Sequence, residues 1–270
     1  MDKKRRKIWI LLIILQVLVI ITAIAEGMHG NWYNVFLCAL TMLLFNIPRF
    51  AYIKLNIYLP RALEIVILLF IFSAEILGEI QSFYTIFSNW DTILHTINGF
   101  IMAAIGFALI DILNQAPNIH FNMSPVFVTV VAFCFSMTIG VLWEFFEFTG
   151  DYFFHTDMQK DFIVHSISSV ALNPSGLNNT IKLDGIKDTI INYADGQYIV
   201  NGGYLDIGIV DTMKDLMVNC LGALVFSVFG WLYIKNRGKG NIIRKFVPRM
   251  KTEEEIEKTN KKLNEIKNKI

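Results

Sequence analysis

The sequence predicts an all-α polytopic membrane protein: a six-transmembrane-helix bundle with a small external β-containing insertion and a C-terminal cytoplasmic helix. Three observations predict it. The 270 residues are 54% hydrophobic and only 17% charged, more apolar than a soluble domain of this length. The apolar residues are gathered into six blocks, each near the ~20 helical residues that cross a hydrocarbon core. Basic residues cluster at the ends of those blocks that fall on one side. A closed barrel would also satisfy its backbone in lipid, but the alternating pattern of barrel strands is absent.

The expected spans fall near residues 8–25, 33–52, 62–80, 92–114, 124–149 and 206–234. KKRRK, Lys3 to Lys7, precedes the first. Arg49, Lys54 and Arg61 surround the second turn-back, and Lys235, Arg237, Lys239, Arg244, Lys245, Arg249 and Lys251 follow the sixth. With six spans these all share one side, and lysine and arginine mark the cytoplasmic side. Both termini are then cytoplasmic. The loop Asn114 to Asn122 carries neither residue and is neutral in this argument. Ala23-Ile24-Ala25 resembles a signal-peptide cleavage site, but the apolar run before it is long for one, so an uncleaved anchor is expected. Cys38, Cys134 and Cys220 lie inside apolar blocks and are expected as thiols, not as a disulfide framework.

The transmembrane domain therefore occupies residues 1–235, with an external insertion over 151–204 that carries three lysines against six aspartates. Asn173-Pro174-Ser175-Gly176 is turn chemistry. Thr189–Tyr193 and Gln197–Val200, joined through Ala194-Asp195-Gly196, read as a β-hairpin. The insertion is either a cap over the outer mouth or a connector. Residues 236–270 form a basic linker and an amphipathic helix. Thr252 with Glu255 is a capping box, and Ile256, Leu263, Ile266 and Ile270 make one stripe. That helix could take a partner helix or the inner leaflet, or end the chain solvated.

Polar residues recur at helical spacing where lipid penalises them. Asp91 and His95 open the fourth span, Glu144 and Glu147 close the fifth, and Asp211, Asp215 and Asn219 open the sixth. Glu75 and Glu79 close the third, in a solvated or packing role. Each set lies on one face of its helix and at the outer end of its span, so the acids, a histidine and an amide come to similar depth. Carboxylates gathered there repel one another and need protons, a cation or a hydrogen-bonded network. A divalent cation is the expected occupant. Oxygen donors with one imidazole suit Mg²⁺, Mn²⁺, Fe²⁺ or Zn²⁺. Such an ion activates water or polarises a phosphate oxygen, while His95 serves as a base. Simpler roles stand beside these. Asp91 and Asp211 could cap helices; Asp215, His95 and Asn219 could hydrogen-bond between helices; Glu147 and Asp151 could be wet. Trp90 and Trp143 fit an interfacial aromatic belt, and His155 is a weaker candidate. Gly99 and Gly222 permit close approach of the fourth and sixth spans.

WDTILHTINGF, VLWEFFEF and VDTMKDLMVNCLGAL, in that order, resemble the uncharacterised YjdF-like family of bacterial inner-membrane proteins and, more loosely, VanZ-like membrane proteins. The resemblance covers Trp90 to Ala223. It implies a bacterial plasma-membrane location and marks Asp91, His95, Gly99, Trp143, Glu144, Glu147, Asp211, Asp215, Asn219 and Gly222. On the polar-site reading above, His95 and Asp91 are catalytic and Glu144, Glu147, Asp211 and Asp215 hold the metal. Asn219, Gly99, Gly222 and Trp143 support them. The VanZ-like association with glycopeptide tolerance points to envelope biology.

The leading expectation is a metal-dependent hydrolase or transferase acting on a lipid or cell-envelope precursor. The alternatives are a non-catalytic membrane scaffold or envelope-stress factor, and an ion-coupled transporter. The transporter needs a polar path across the membrane, and Asp111 is the main acid near the other end. No Walker or dinucleotide glycine pattern is present, and the basic clusters are explained by orientation and anionic lipid, so no nucleic-acid partner is expected.

Overall fold

The computed structural model describes residues 3–114, 123–235 and 245–268. Most of the loop expected at Asn114 to Asn122 lies outside these residues, as do Arg237, Lys239, Arg244 and Ile270 and the side chains of Asp111 and Ile266. Among the described residues, five helical stretches are long and apolar enough to cross a membrane: Arg6–Met28, Trp32–Lys54, Trp90–Ile110, Pro125–Phe154 and Ile209–Lys235. The chain divides into two compact units, Met1–Gly140 with Met217–Ile270, and Val141–Leu216.

In the first unit, α1 (Lys3–Met28) buries a stripe of Ile8, Leu15 and Val19 against Cys38, Phe45, Leu68, Ile71 and Ile76. Its other faces expose Trp9, Ile14, Ile21 and Ile24, as a helix bathed in lipid does. The span expected near 33–52 is present as Trp32–Lys54, with an interruption inside it. α2 (Trp32–Leu44) ends at Phe45 and Asn46, and α3 (Ile47–Lys54) restarts with Pro48 in its first turn. Proline lacks the N–H that a continuing helix needs, and it suits the start of a new one.

The span expected near 62–80 also differs from a plain α-helix. α4 (Arg61–Phe72) passes directly into a π-helical segment, Ser73–Ile80. Gln81 N–H reaches back five residues to the Ile76 carbonyl, and Gly78 lies against the Tyr84 ring of the short α5 (Phe83–Ile86). Trp90 donates its indole N–H to the Ser73 carbonyl at 3.3 Å, where the helix changes pitch.

α6 (Trp90–Asn114), the first part of α7 (Pro125–Phe154) and the later part of α8 (Ile209–Lys235) form the second core of this unit. Ala103, Ala104, Phe107 and Ile110 pack on Val128, Ala132, Ala223 and Phe226. The contact is closest around Asn219, which is fully buried. Asn98 donates from Nδ2 to Asn219 Oδ1 at 3.2 Å, and Asn219 Nδ2 points to the Ser136 carbonyl at 3.4 Å. Ser136 donates its hydroxyl to the Gly99 carbonyl at 2.8 Å. A Cβ on Gly99 would collide with the Asn219 backbone carbonyl, and one on Gly222 with that of Thr96. At Gly140 a Cβ would come within 2.7 Å of Asn219 Nδ2.

After α8 the chain returns to the turn behind α3. β8 (Arg249–Met250) pairs antiparallel with β1 (Ile57–Tyr58), and Lys251 N–H donates to the Asn56 carbonyl at 2.9 Å. α9 (Glu253–Lys267) follows. Its first turn has the expected capping box: Thr252 N–H donates to Glu255 Oε2 at 3.0 Å, and Glu255 N–H to Thr252 Oγ1 at 3.4 Å. Arg249 donates to both Glu255 oxygens at 2.9 and 2.8 Å, while its guanidinium lies over Tyr58 at 4.5 Å. Lys251 is buried, with its ammonium 3.4 Å from the centre of the Tyr52 ring. The start of the tail therefore docks on its own chain.

The second unit contains the far end of α7, the start of α8 and six short strands. β2 (Ile163–Val164) pairs with β7 (Tyr204–Leu205), and β3 (Ser166–Ser169) with β4 (Ile181–Asp184). β5 (Asp188–Tyr193) pairs with β6 (Gly196–Asn201) in the hairpin read from the sequence, with Tyr193 opposite Gly196. The expected turn at Asn173 is closed by Asn173 Oδ1, which accepts from the Ser175 N–H at 3.0 Å.

Two predictions follow from this packing. Gly222→Ala forces a methyl group into the Thr96 carbonyl, and should cost about 1–3 kcal/mol, as overpacking does. Gly27→Ala, whose Cβ would meet only Val35 at 3.8 Å, should leave stability unchanged. Thermal unfolding of both variants in detergent checks this. The second concerns pH. Glu255 is held down from 4.5 to about 2, chiefly by its hydrogen bonds from Arg249. A lowered carboxylate contributes fully above its unfolded value and loses that contribution as pH falls through its folded value. Amide-exchange protection in the first turn of α9 should therefore decline between 4.5 and about 2. Glu255→Gln should lower protection at neutral pH and abolish that titration.

Candidate functional site

His95 and Asp91 are one turn apart on α6, which puts them on one face. Asp91 Oδ1 lies 3.4 Å from His95 Nε2, and the histidine is buried while Asp91 is partly exposed. Gly99 continues the same face one turn further, so His95 sits next along the helix from the close packing at Asn219. Thr96 donates its hydroxyl back to the Thr92 carbonyl at 2.7 Å, which satisfies it within the helix.

On α7, Glu144, Glu147 and Asp151 follow Gly140 at intervals of four, three and four, again on one face. Glu144 and Glu147 are buried, at 4% and 8% exposure. The aromatics between them, Phe145, Phe146 and Phe148, are exposed, as lipid-facing side chains are. Trp143 donates its indole N–H to Glu147 Oε1 at 2.8 Å. This tryptophan is therefore both an interfacial aromatic and the partner of a buried acid.

Asp151 belongs to a different structure. α7 runs beyond the expected end of its span to Phe154 and stops at His155, whose φ is +53°. The chain then doubles back as a strap over residues 156–162. Asp151 Oδ1 accepts the Met158 N–H at 2.7 Å and the Thr156 hydroxyl at 2.7 Å, and Oδ2 accepts the Gln159 N–H at 2.8 Å. Asp211 Oδ2 accepts the Lys160 N–H at 2.9 Å, and Asp206 Oδ1 the Phe162 N–H at 2.6 Å. Gln159 Nε2 donates to Thr212 Oγ1 at 2.6 Å. Three aspartates thus take four backbone amides of one short segment. Asp161, largely exposed on this strap, has its carboxyl raised by partial burial and then by Asp157, Asp206 and Asp151.

Asp206 also caps α8, through Oδ2 and the Val210 N–H at 2.7 Å. Asp211, for which capping was the alternative to a ligand role, accepts the Lys160 N–H through Oδ2. Asp215 is 1% exposed, one turn before Asn219 and on its face. Asp211 is 4% exposed. Within the units, the structure brings together Asp91 with His95, Trp143 with Glu147, and Gly99 and Gly222 with the α8–α6 contact at Asn219.

Sequence reasoning missed Asn98, Ser136, Gly140, Gln159 and Asp206. Asn98 carried a signal, an amide three residues after His95 inside an apolar helix. Ser136 and Gly140 are ordinary residues of such helices, and only their partners reveal their role. Glu75 lies partly buried on the π-helical segment and Glu79 is exposed there.

No curated protein and no solved structure matches the chain. The family described as Predicted membrane protein (DUF2238) matches residues 7–236, through all the helices that carry the buried acids and the histidine. Five long apolar helices, lipid-type exposure of their large side chains and this match agree, and the chain belongs to that family of membrane proteins.

Proposed function

We propose that the chain is a six-span protein in which α6, α7 and α8 share one acidic, histidine-bearing site. That site holds a divalent cation and carries out hydrolysis or group transfer on a lipid or cell-envelope precursor. The carrying observation is helical phase. Gly99, Gly140 and Asn219 are the contact points of the three helices in the first unit. Continued by one and two turns, the same faces bear His95 and Asp91, Glu144 and Glu147, and Asp215 and Asp211. Burial supports the reading, because ionised side chains deep in a membrane cost several kcal/mol without compensation.

Asp215 offers a buried carboxylate to the cation, with Mg²⁺, Mn²⁺, Fe²⁺ and Zn²⁺ as the candidates. Glu144 is the next donor along α7. Glu147 accepts the Trp143 indole N–H and Asp211 the Lys160 amide, so these two carboxylates act beside it as supports. A bound cation supplies Lewis acidity, polarising a phosphoryl oxygen or lowering the pKa of water. His95 takes the proton from the attacking group, and Asp91 holds the imidazole in place at 3.4 Å.

The sixth span is α4 with its π-helical continuation to Ile80, about the ~20 residues a crossing needs. Six spans bring the basic clusters to one side, which is then cytoplasmic, and turn the acids outward. The likeness of the three motifs to YjdF-like and VanZ-like proteins supports a bacterial plasma membrane and an envelope substrate. The Asn219 network favours one rival, a scaffold whose polar groups only hold helices together.

Elemental analysis of purified full-length protein, after incubation with each metal and desalting, separates the two. Wild type should retain about one divalent ion per chain. Asp215→Asn and His95→Ala should lower its affinity by at least ~10-fold with unfolding temperatures preserved. A wild type that retains no metal, or variants that retain it equally, would leave the scaffold.

A further inference from the structure

The first unit contains a second feature that the proposed site does not use. Near the start of α7 and the end of α8 lies a groove of about 410 Å³, lined by Val126, Val130 and Phe133 on one side and Leu224, Val228 and Trp231 on the other. Its floor is made of small side chains, Thr129 and Ser227, both buried. Thr129 keeps its hydroxyl on its own helix, donating to the Val126 carbonyl at 2.9 Å. Val126, Val130, Leu224 and Val228 are each about half exposed, so the groove opens sideways, away from the core of Ala132, Ala223 and Phe226. It runs for about two helical turns, or ~10 Å at 1.5 Å per residue.

One end of the groove is charged. Trp231 lines it, and the Lys235 ammonium lies 4.6 Å from the centre of that ring. Lys235 is the last residue of α8. Tryptophan and lysine at the end of an apolar helix mark headgroup level. An apolar channel that ends under a cation fits a molecule with an acyl chain and an anionic head.

We propose that this groove is a binding site for an anionic glycerophospholipid, with one acyl chain between α7 and α8 and the phosphate on Lys235. A second copy of the chain fits less well, because a two-fold contact along the membrane normal would set two Lys235 side chains at the same level. The lipid here is a bound ligand, independent of the reaction proposed for the acidic site.

Native mass spectrometry of the full chain released from detergent tests this, with phosphatidylglycerol and phosphatidylcholine of identical chains as probes. Wild type should keep one phosphatidylglycerol in preference to phosphatidylcholine. Lys235→Gln should reduce that preference about fivefold, the weight of one lysine near an anionic surface. Val130→Phe and Val228→Phe fill the groove from opposite walls at half-exposed positions, and each should lose retention of both lipids at an unchanged unfolding temperature. The proposal is overturned if wild type retains the two lipids equally or if both filling variants retain lipid as wild type does. A wild-type dimer that the filling variants dissociate would overturn it too, by giving the groove to a second copy.

Discussion

A carboxamide in the middle of a lipid-bathed helix must find partners inside the protein, and Asn219 is that group. Water is not there to take its N–H or its oxygen, and leaving either unmet costs ~2 kcal/mol or more. Asn98 supplies the donor and the Ser136 carbonyl the acceptor, so one side chain fixes three helices at a common level. The glycines make this possible. Without a Cβ at Gly99, Gly140 and Gly222, backbone and amide approach to distances that no side chain permits. Interhelical hydrogen bonds in membranes are individually modest, about 0.6 kcal/mol on average. The weight of this network is therefore in register. A slip of one residue on α8 turns Asn219 away from Asn98 by about 100°, and Asp215 turns with it.

The acids of these helices and of the strap divide by what they accept. Asp151, Asp206 and Asp211 take backbone N–H groups of the strap over 156–162. Such charge-assisted bonds fix a segment that has little regular structure of its own. Glu147 takes an indole N–H. His95 and Asp91 form a pair of another kind, an imidazole beside a carboxylate one turn away on the same helix. The spacing of Glu144, Glu147 and Asp151 thus serves two purposes on one helical face. The last of the three anchors the strap, and the first two remain with the buried faces of the spans.

Much of this was legible because it is local. Hydropathy located the long helices, Asp195-Gly196 located the hairpin turn, and Thr252 with Glu255 located the start of α9. The i, i+4 spacing put Asp91 beside His95. What escaped depends on partners far away in the chain. The change to π-helix at Ser73 occurs where an indole seventeen residues later meets the carbonyl. Composition around Ser73 gives no hint of it, and hydropathy reads the stretch as one span. Pro48 did signal the break between α2 and α3, but an apolar window of span length conceals a proline near its end. The strap was invisible for the opposite reason. Its order comes from aspartates on two helices, and its own sequence reads as a connector. The same holds for Asn98 and Ser136, whose identity is common and whose partners are not sequence neighbours.

The tail shows how a short stretch of sequence becomes ordered without a hydrophobic core. Two residues of β8 give few ladder bonds, too few to hold a strand alone. Charge-assisted bonds from Arg249 to Glu255 join the strand to the helix that follows, and the tyrosine rings of Tyr52 and Tyr58 receive the two cations. A lysine buried as Lys251 is costs free energy unless its ammonium is met, and here a π-face and the Thr259 hydroxyl at 3.2 Å meet it. Ile256 and Leu263 are half-buried, so the apolar stripe of α9 is partly covered. The basic residues of this region therefore have two roles that composition does not separate. Lys235 stays exposed at the end of its helix, whereas Arg249 and Lys251 are used internally to fasten α9 beside the turn between α3 and α4.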